Sequence, residues 1–165
     1  ATDGRTIALS DVLMDNGAVI AFICNHCPYV VSAARRMAAD ANVLMGEGVG
    51  FVAICSNDAV RYPADSFDRM KAFGEEFGFA FPYLHDESQD VARAYGARVT
   101  PHFFGLNGRG RVQYEGRMDA GQTGAPPEGS PRELVEAMRH IARSGEGPPI
   151  AGLGGCSSAG ISGNV

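Results

Sequence analysis

The chain has no uninterrupted apolar run approaching the ~18 residues that a membrane-spanning helix needs, which argues against a span. It also lacks a basic stripe. With a net charge of −5 and a pI near 5.3, it is a poor match for nucleic acid. Of its 14 basic residues, all but Lys71 are arginine, a compositional bias without mechanistic weight. Cysteine is scarce: Cys24, Cys27, Cys55 and Cys156 are the 4 present. A disulfide-stapled secreted fold is normally shorter and denser in cysteine, so one close pair with two singletons fits a redox motif better. No internal repeat is evident, and nothing in the sequence calls for a bound cofactor. The opening residues lack the charged and apolar regions of a signal peptide, so the cytoplasm is the expected compartment. The first residue is Ala1 rather than Met, which leaves a removed leader open.

What is present suits a single domain. The 165 residues are enough to bury a core, and 45% hydrophobic with 20% charged content is ordinary for a globular protein. Ala18–Cys24 is a continuous apolar, β-branched and aromatic run, as expected of a parallel strand covered on both faces. From Pro28, Val30, Ala34, Met37, Ala41 and Leu44 recur at helical spacing until Gly46 and Gly48. Val49–Cys55 reads as a second buried strand. The unit is therefore β-α-β, and its two strands end on the same edge, placing Ser56, Asn57 and Asp58 beside Cys24.

Phe67, Met70, Phe73 and Phe77 mark one face of a helix from about Asp65 to Gly78. Tyr83-Leu84 suggests a short strand, and Ser88–Tyr95 a short helix closed by Gly96. His85 reads as a loop residue, with Asp86 and Glu87 capping that helix. His102–Leu106 and Arg111–Glu115 flank a turn and read as a hairpin. Ser130-Pro131-Arg132-Glu133 has the form of a capping box opening a last helix with Leu134, Met138 and Ile141 on its apolar face. The reading is an α/β domain over residues 1–145, followed by a Gly/Ser/Pro-rich tail, 146–165. A strand, CxxC and helix at the front with a hairpin and helix at the back is the thioredoxin arrangement.

The chemistry centres on Cys24-Asn25-His26-Cys27. A cysteine where a buried strand meets a helix N-terminus faces unpaired amides and the positive end of the helix dipole, both of which favour its thiolate. Cys24 is expected to be the attacking nucleophile and Cys27, one turn further in, the resolving thiol. An imidazolium at His26 would favour the Cys24 anion further. Stabilising the reduced form in this way makes the dithiol more oxidising than thioredoxin. Cys55, ending a strand, reads as a packed and inert thiol. Cys156 reads as a bystander in the tail.

The ordered set Phe22–Val30, Ser56-Asn57-Asp58, Tyr62-Pro63, Phe81–Leu84 with Asp86-Glu87, Ala94-Tyr95-Gly96 and Thr100-Pro101 resembles the AhpC/TSA-type branch of the thioredoxin-like redoxins. That group includes peroxiredoxins and cytochrome-maturation reductases. The resemblance covers residues 18 to 118. It implies a central mixed β-sheet flanked by helices, with a helical insertion before a cis-proline hairpin, and a thiol–disulfide oxidoreductase acting on protein or small-molecule thiols. It also implies a cis Thr100–Pro101 bond facing the dithiol, where Thr100 offers backbone to an extended substrate. Thioredoxins usually bury an acid beneath the dithiol, and Ala18–Ile23 contains none. Asp58 is the first substitute by position, and His102, where the branch often has an acid, is the second. The branch often carries a basic or aromatic stretch after its Gly-Cys near the end, but Gly155-Cys156 runs into Ser157-Ser158-Ala159-Gly160.

Two other functions compete. A peroxiredoxin-like antioxidant peroxidase places proline seven residues and threonine or serine three residues before its peroxidatic cysteine. Before Cys24 those positions hold Gly17 and Ala21; before Cys27 they hold Ile20 and Cys24. Both registers fail. Metal binding or copper delivery is the other, with Cys24, His26 and Cys27, and His102 opposite, offering sulfur and imidazole to Cu(I) or Zn. No second paired-ligand cluster accompanies them.

Overall fold

In the computed structural model, which describes residues 1–148, five strands form one mixed sheet with helices on both faces. A short helical turn, α1 (Leu9–Val12), precedes β1 (Ala18–Phe22), and α2 (Pro28–Gly46) connects β1 to β2 (Gly50–Cys55). Every residue of β1 and β2 is buried, as strands covered on both sides require. They pair in parallel, with Ala18 opposite Gly50 and Phe22 opposite Ile54. After β2 come a 3-10 turn (Pro63–Asp65), α3 (Phe67–Phe77), β3 (Tyr83–His85) and α4 (Asp90–Tyr95), the helical insertion expected before the hairpin. β4 (His102–Leu106) and β5 (Val112–Gly116) form that hairpin, and α5 (Glu133–Ser144) follows. The strand order β3-β2-β1-β4-β5, with β4 antiparallel to β1, is a thioredoxin fold. Among the described residues, no helix is long and apolar enough to cross a membrane.

Alternation along β1 splits the core in two. Val19 and Ala21 point to the face covered by α2, α3 and α5, where Met37, Leu44, Met70, Phe73, Leu134 and Met138 are buried. Ala18, Ile20 and Phe22 point to the opposite face, where Val12 of α1 and Ala92 of α4 cover Val52, Ile54 and Phe104. Phe22 meets Phe104 edge-on at 5.8 Å.

The capping box at Ser130 does not form. Helix α5 begins at Glu133 and Arg132 is its N-cap, with no side-chain cap. The Glu133 carboxylate is instead taken by the Arg117 guanidinium at 2.7–3.2 Å, and the Met118 carbonyl accepts the Leu134 amide. A charge-assisted, two-pronged bond outcompetes a neutral backbone partner. Helix α4 starts at Asp90 rather than Ser88, because Gln89 is left-handed (φ 62). The Asp86 carboxylate caps it by accepting the Val91 and Ala92 amides, as expected of Asp86. His85 ends β3 rather than standing in a loop. Phe67, at the first position of α3, is exposed, while Met70 and Phe73 carry the buried face. The expectations for Cys156 and for the tail beyond residue 148 lie outside the described residues.

Gly50 opens β2 directly beneath α1. Its backbone is ordinary, but a Cβ there would overlap the carbonyl oxygen of Val12. Gly46, the last residue of α2, has open space where a Cβ would project. Gly50→Ala is therefore expected to destabilise the fold by roughly 1–3 kcal/mol through forced backbone displacement. Gly46→Ala is expected to be neutral or slightly stabilising. Urea unfolding midpoints of the two variants check this, and equal midpoints would refute the packing argument.

Candidate active site

Cys24 lies two residues past β1, and Cys27 is the N-cap of α2, with Pro28 at the first helical position. Pro28 suits that position because its missing N–H would have no intrahelical partner there. The antiparallel register sets Phe22 opposite His102, which carries the residues before His102 to the cysteines. Thr100–Pro101 is cis. The Cys24 sulfur lies 3.3 Å from the Thr100 hydroxyl, and the Cys27 thiol donates to the Thr100 carbonyl at 3.4 Å. The structure thus brings Cys24, Cys27, Thr100 and Pro101 together. Cys24, Cys27 and Cys55 are free thiols, and the first two are 0% and 1% exposed.

The electrostatics set the two cysteines of the pair apart. A hydrogen bond between the two sulfurs stabilises a singly ionised pair. Cys27 is drawn down to about 5, first by that bond, then by the Val30 and Tyr29 amides and by Thr100, against the opposing effect of burial. These amides face the sulfur without closing a formal cap bond. Cys24 is pushed up by the same sulfur–sulfur bond, by burial and by the Asp65 carboxylate, with Thr100 opposing. The helix amides favour an anion at the Cys27 end of the pair, and burial and Asp65 disfavour one at Cys24.

The acid at the site is Asp65, not Asp58. Asp58 is exposed and folds its own loop, its carboxylate accepting the Val60 amide at 2.8 Å. Asp65, from the 3-10 turn, is fully buried. Its Oδ1 accepts the Asn25 amide at 2.7 Å, and its Oδ2 accepts Nδ2 of Asn57 at 2.7 Å. Nδ1 of His26 lies 2.8 Å from the same Oδ2 without hydrogen-bond alignment. The loop is also tied by Asn25 Nδ2 donating to the Ala64 carbonyl and by the Tyr83 hydroxyl donating to Asn25 Oδ1, each at 2.9 Å. The His26 ring stacks on Tyr62 at 5.2 Å, and the Arg61 guanidinium stands over Tyr62.

His102 is remote from this chemistry. It follows the cis-proline, but its ring lies on the α4 side of the sheet, 4.4 Å from Phe104, with Nε2 3.2 Å from Glu115. Burial lowers its pKa despite that carboxylate. Cys55 is pushed up to about 12, by burial first and then by Asp65, which fits an inert thiol. Asp65 escapes a reading of the sequence because it lies between strand and helix, outside any periodic pattern. The available signal was Tyr62-Pro63, a proline-started turn on the edge where β2 ends.

No curated protein matches the chain. Among solved structures, an uncharacterized conserved protein from Geobacillus kaustophilus is 40% identical, with 92% of this chain and 80% of that one covered and a TM-score of 0.82. A hypothetical protein from Sinorhizobium meliloti is 33% identical over 94% of this chain and 86% of its own, with a TM-score of 0.83. A putative thioredoxin from Neisseria meningitidis shares the fold at 19% identity, covering 86% and 84% of the two chains with a TM-score of 0.66. Residues 1–115 match the AhpC/TSA family. With more than half its length matched and a fold of the thioredoxin type, the chain belongs to the AhpC/TSA family of thioredoxin-like redoxins.

Proposed function

We propose that the protein is a thiol–disulfide oxidoreductase that exchanges disulfides with protein or small-molecule thiols through Cys24 and Cys27. The observation that carries this reading is the placement of both cysteine sulfurs against Thr100, beside the cis Pro101 and at the N-terminus of α2. Cys27, holding the anion, accepts the Cys24 proton across the sulfur–sulfur hydrogen bond. The Cys24 thiolate so formed attacks one sulfur of an incoming disulfide, forming a mixed disulfide and expelling a thiolate. That thiolate takes the proton back from Cys27. The Cys27 thiolate then attacks the Cys24 sulfur, closing the internal disulfide and releasing the second half of the substrate. Two electrons leave the cysteine pair and the substrate disulfide takes them up.

His26 borders this path. Its ring is 31% exposed beside fully buried cysteines, so substrate approach passes the imidazole. Thr100 offers its backbone to the substrate, and Pro101 fixes the direction of that backbone. The family match favours hydroperoxide as a second oxidant, converting Cys24 to a sulfenic acid that Cys27 resolves. Gly17 and Ala21, where a peroxidatic site has proline and a hydroxyl, make disulfide the preferred substrate.

Three expectations test the reading, all in chelator-containing buffer. With bis(2-hydroxyethyl) disulfide, Cys27→Ser should accumulate a covalent adduct on Cys24 visible by mass. Cys24→Ser should exchange at least ~100-fold more slowly than the wild type. A Cys24→Ser variant exchanging at the wild-type rate would overturn the roles. Redox titration should place the potential above thioredoxin's, about −270 mV, because stabilising the thiolate stabilises the reduced form.

The third expectation concerns pH. The folded pKa of Cys27 is about 5, below the unfolded value of about 8.5. Between these values the unfolded chain binds more protons than the folded one, so stability of the reduced protein rises with pH. That contribution disappears as the pH falls through 5. Urea midpoints of the reduced wild type should climb relative to those of Cys27→Ser between pH 5 and 8. Parallel profiles would show that the Cys27 thiolate is not stabilised.

A further inference from the structure

Three donor atoms of the kinds that bind borderline metals converge at this site from two separate elements. One ligand atom each from Cys24, His26 and Asp65 lies within 4.8 Å of the others. Cys24 and His26 come from the loop after β1, and Asp65 from the insertion. His102, the fourth donor suggested by the sequence, faces Glu115 instead. We propose that the reduced protein binds one Zn²⁺ through Cys24 Sγ, His26 Nδ1 and Asp65 Oδ2, the fourth position being taken by water.

The arrangement around these atoms is that of a supported metal site. A ligating carboxylate needs outer partners to fix its direction. Asp65 has them on both oxygens, with Oδ1 held by the Asn25 amide and Oδ2 by Asn57 Nδ2. Oδ2 keeps a second lone pair for a cation. Nδ1 of His26 is buried without a hydrogen-bond partner, although Oδ2 is 2.8 Å away. Its in-plane lone pair therefore misses the carboxylate and is free to meet a third atom. The ring itself is fixed by stacking on Tyr62. A thiolate, an imidazole and a carboxylate favour Zn²⁺ over Cu(I), which prefers an all-soft set.

The site is redox-gated by its own ligands. When Zn²⁺ has left and an incoming disulfide oxidises the free dithiol, Cys24 and Cys27 join through an S–S bond and give up their two protons. The substrate disulfide takes up those two electrons and two protons to leave as two thiols, and without the Cys24 thiolate Zn²⁺ cannot rebind. Bound zinc in turn occupies the Cys24 sulfur and blocks exchange.

Competition between the full-length reduced protein and a chromophoric zinc chelator tests this. The expected result is one Zn²⁺ per chain, no binding by the disulfide form, and at least ~10-fold weaker binding in His26→Ala and in Asp65→Asn. His26→Ala changes a partly exposed ring and serves as the readout should Asp65→Asn fail to fold. Co²⁺ substitution should give the visible absorption of a tetrahedral thiolate site, and His26→Ala should alter it. Absence of stoichiometric uptake, or affinity in His26→Ala equal to the wild type, would overturn the assignment. Exchange measured in chelator is independent of it: zinc failing while exchange persists removes only the metal site, and exchange failing while zinc binds removes only the oxidoreductase reading.

Discussion

The site is organised around one buried negative charge. A carboxylate with no exposed surface is costly unless hydrogen bonds or an opposite charge replace its lost water. Asp65 meets that requirement with the Asn25 amide and the Asn57 side chain, and the His26 ring stands 2.8 Å from it. Each partner belongs to a segment that carries the chemistry: Asn25 and His26 lie within the CxxC loop, and Asn57 follows β2. The carboxylate thus converts its own solvation requirement into the shape of the loop. Tyr83 extends the same constraint, since its buried hydroxyl finds its partner in Asn25 Oδ1. The insertion between β2 and β4 is therefore part of the active site, not an ornament on the thioredoxin core.

That placement creates an electrostatic conflict, which decides where the thiolate resides. Asp65 disfavours a second negative charge at Cys24, whereas the first amides of α2 favour one at Cys27. A helix end acts on the residue at its N-cap, and here that residue is the second cysteine rather than the first. The hydrogen bond between the sulfurs lets the pair meet both demands with one proton. A strand-borne acid beneath the dithiol would act from the sheet. Asp65 acts from the side of the loop and so discriminates between the two cysteines.

Most of the fold was legible in the sequence because it depends on local pattern. The β1 and β2 runs, the helical spacing from Val30 to Leu44, and the glycine stops at Gly48 and Gly96 each encode burial or backbone conformation directly. The hairpin was equally plain, its turn closed by the Asn107 side chain accepting the Arg109 and Arg111 amides. The capping box at Ser130 failed for a reason no local pattern contains: Arg117, 16 residues upstream, reaches Glu133. At the site, Cys24, Cys27 and Thr100-Pro101 were readable as a motif. Asp65 was not, because its role depends on a 3-10 turn folding back over the CxxC loop. Asp58 and His102 were good positions by strand edge and chain proximity, but side-chain direction sent one to its own turn and the other across the sheet to Glu115.

Burial of both sulfurs links these features. A dithiol out of contact with water reacts only with a partner that displaces whatever borders it, and its partly exposed neighbours include Asn25, Pro101 and His26, the last stacked on Tyr62 and set against Asp65. Access, charge and loop geometry thus converge on one imidazole. Moving His26 away from Asp65 would open the path to Cys24 and also remove a partner from the carboxylate that disfavours its anion. Binding a cation there would have the opposite effect, satisfying Asp65 while closing the path. On the two proposals above, the same small set of atoms serves two mutually exclusive occupants, a substrate disulfide or a metal ion, and the oxidation state of the cysteines selects between them.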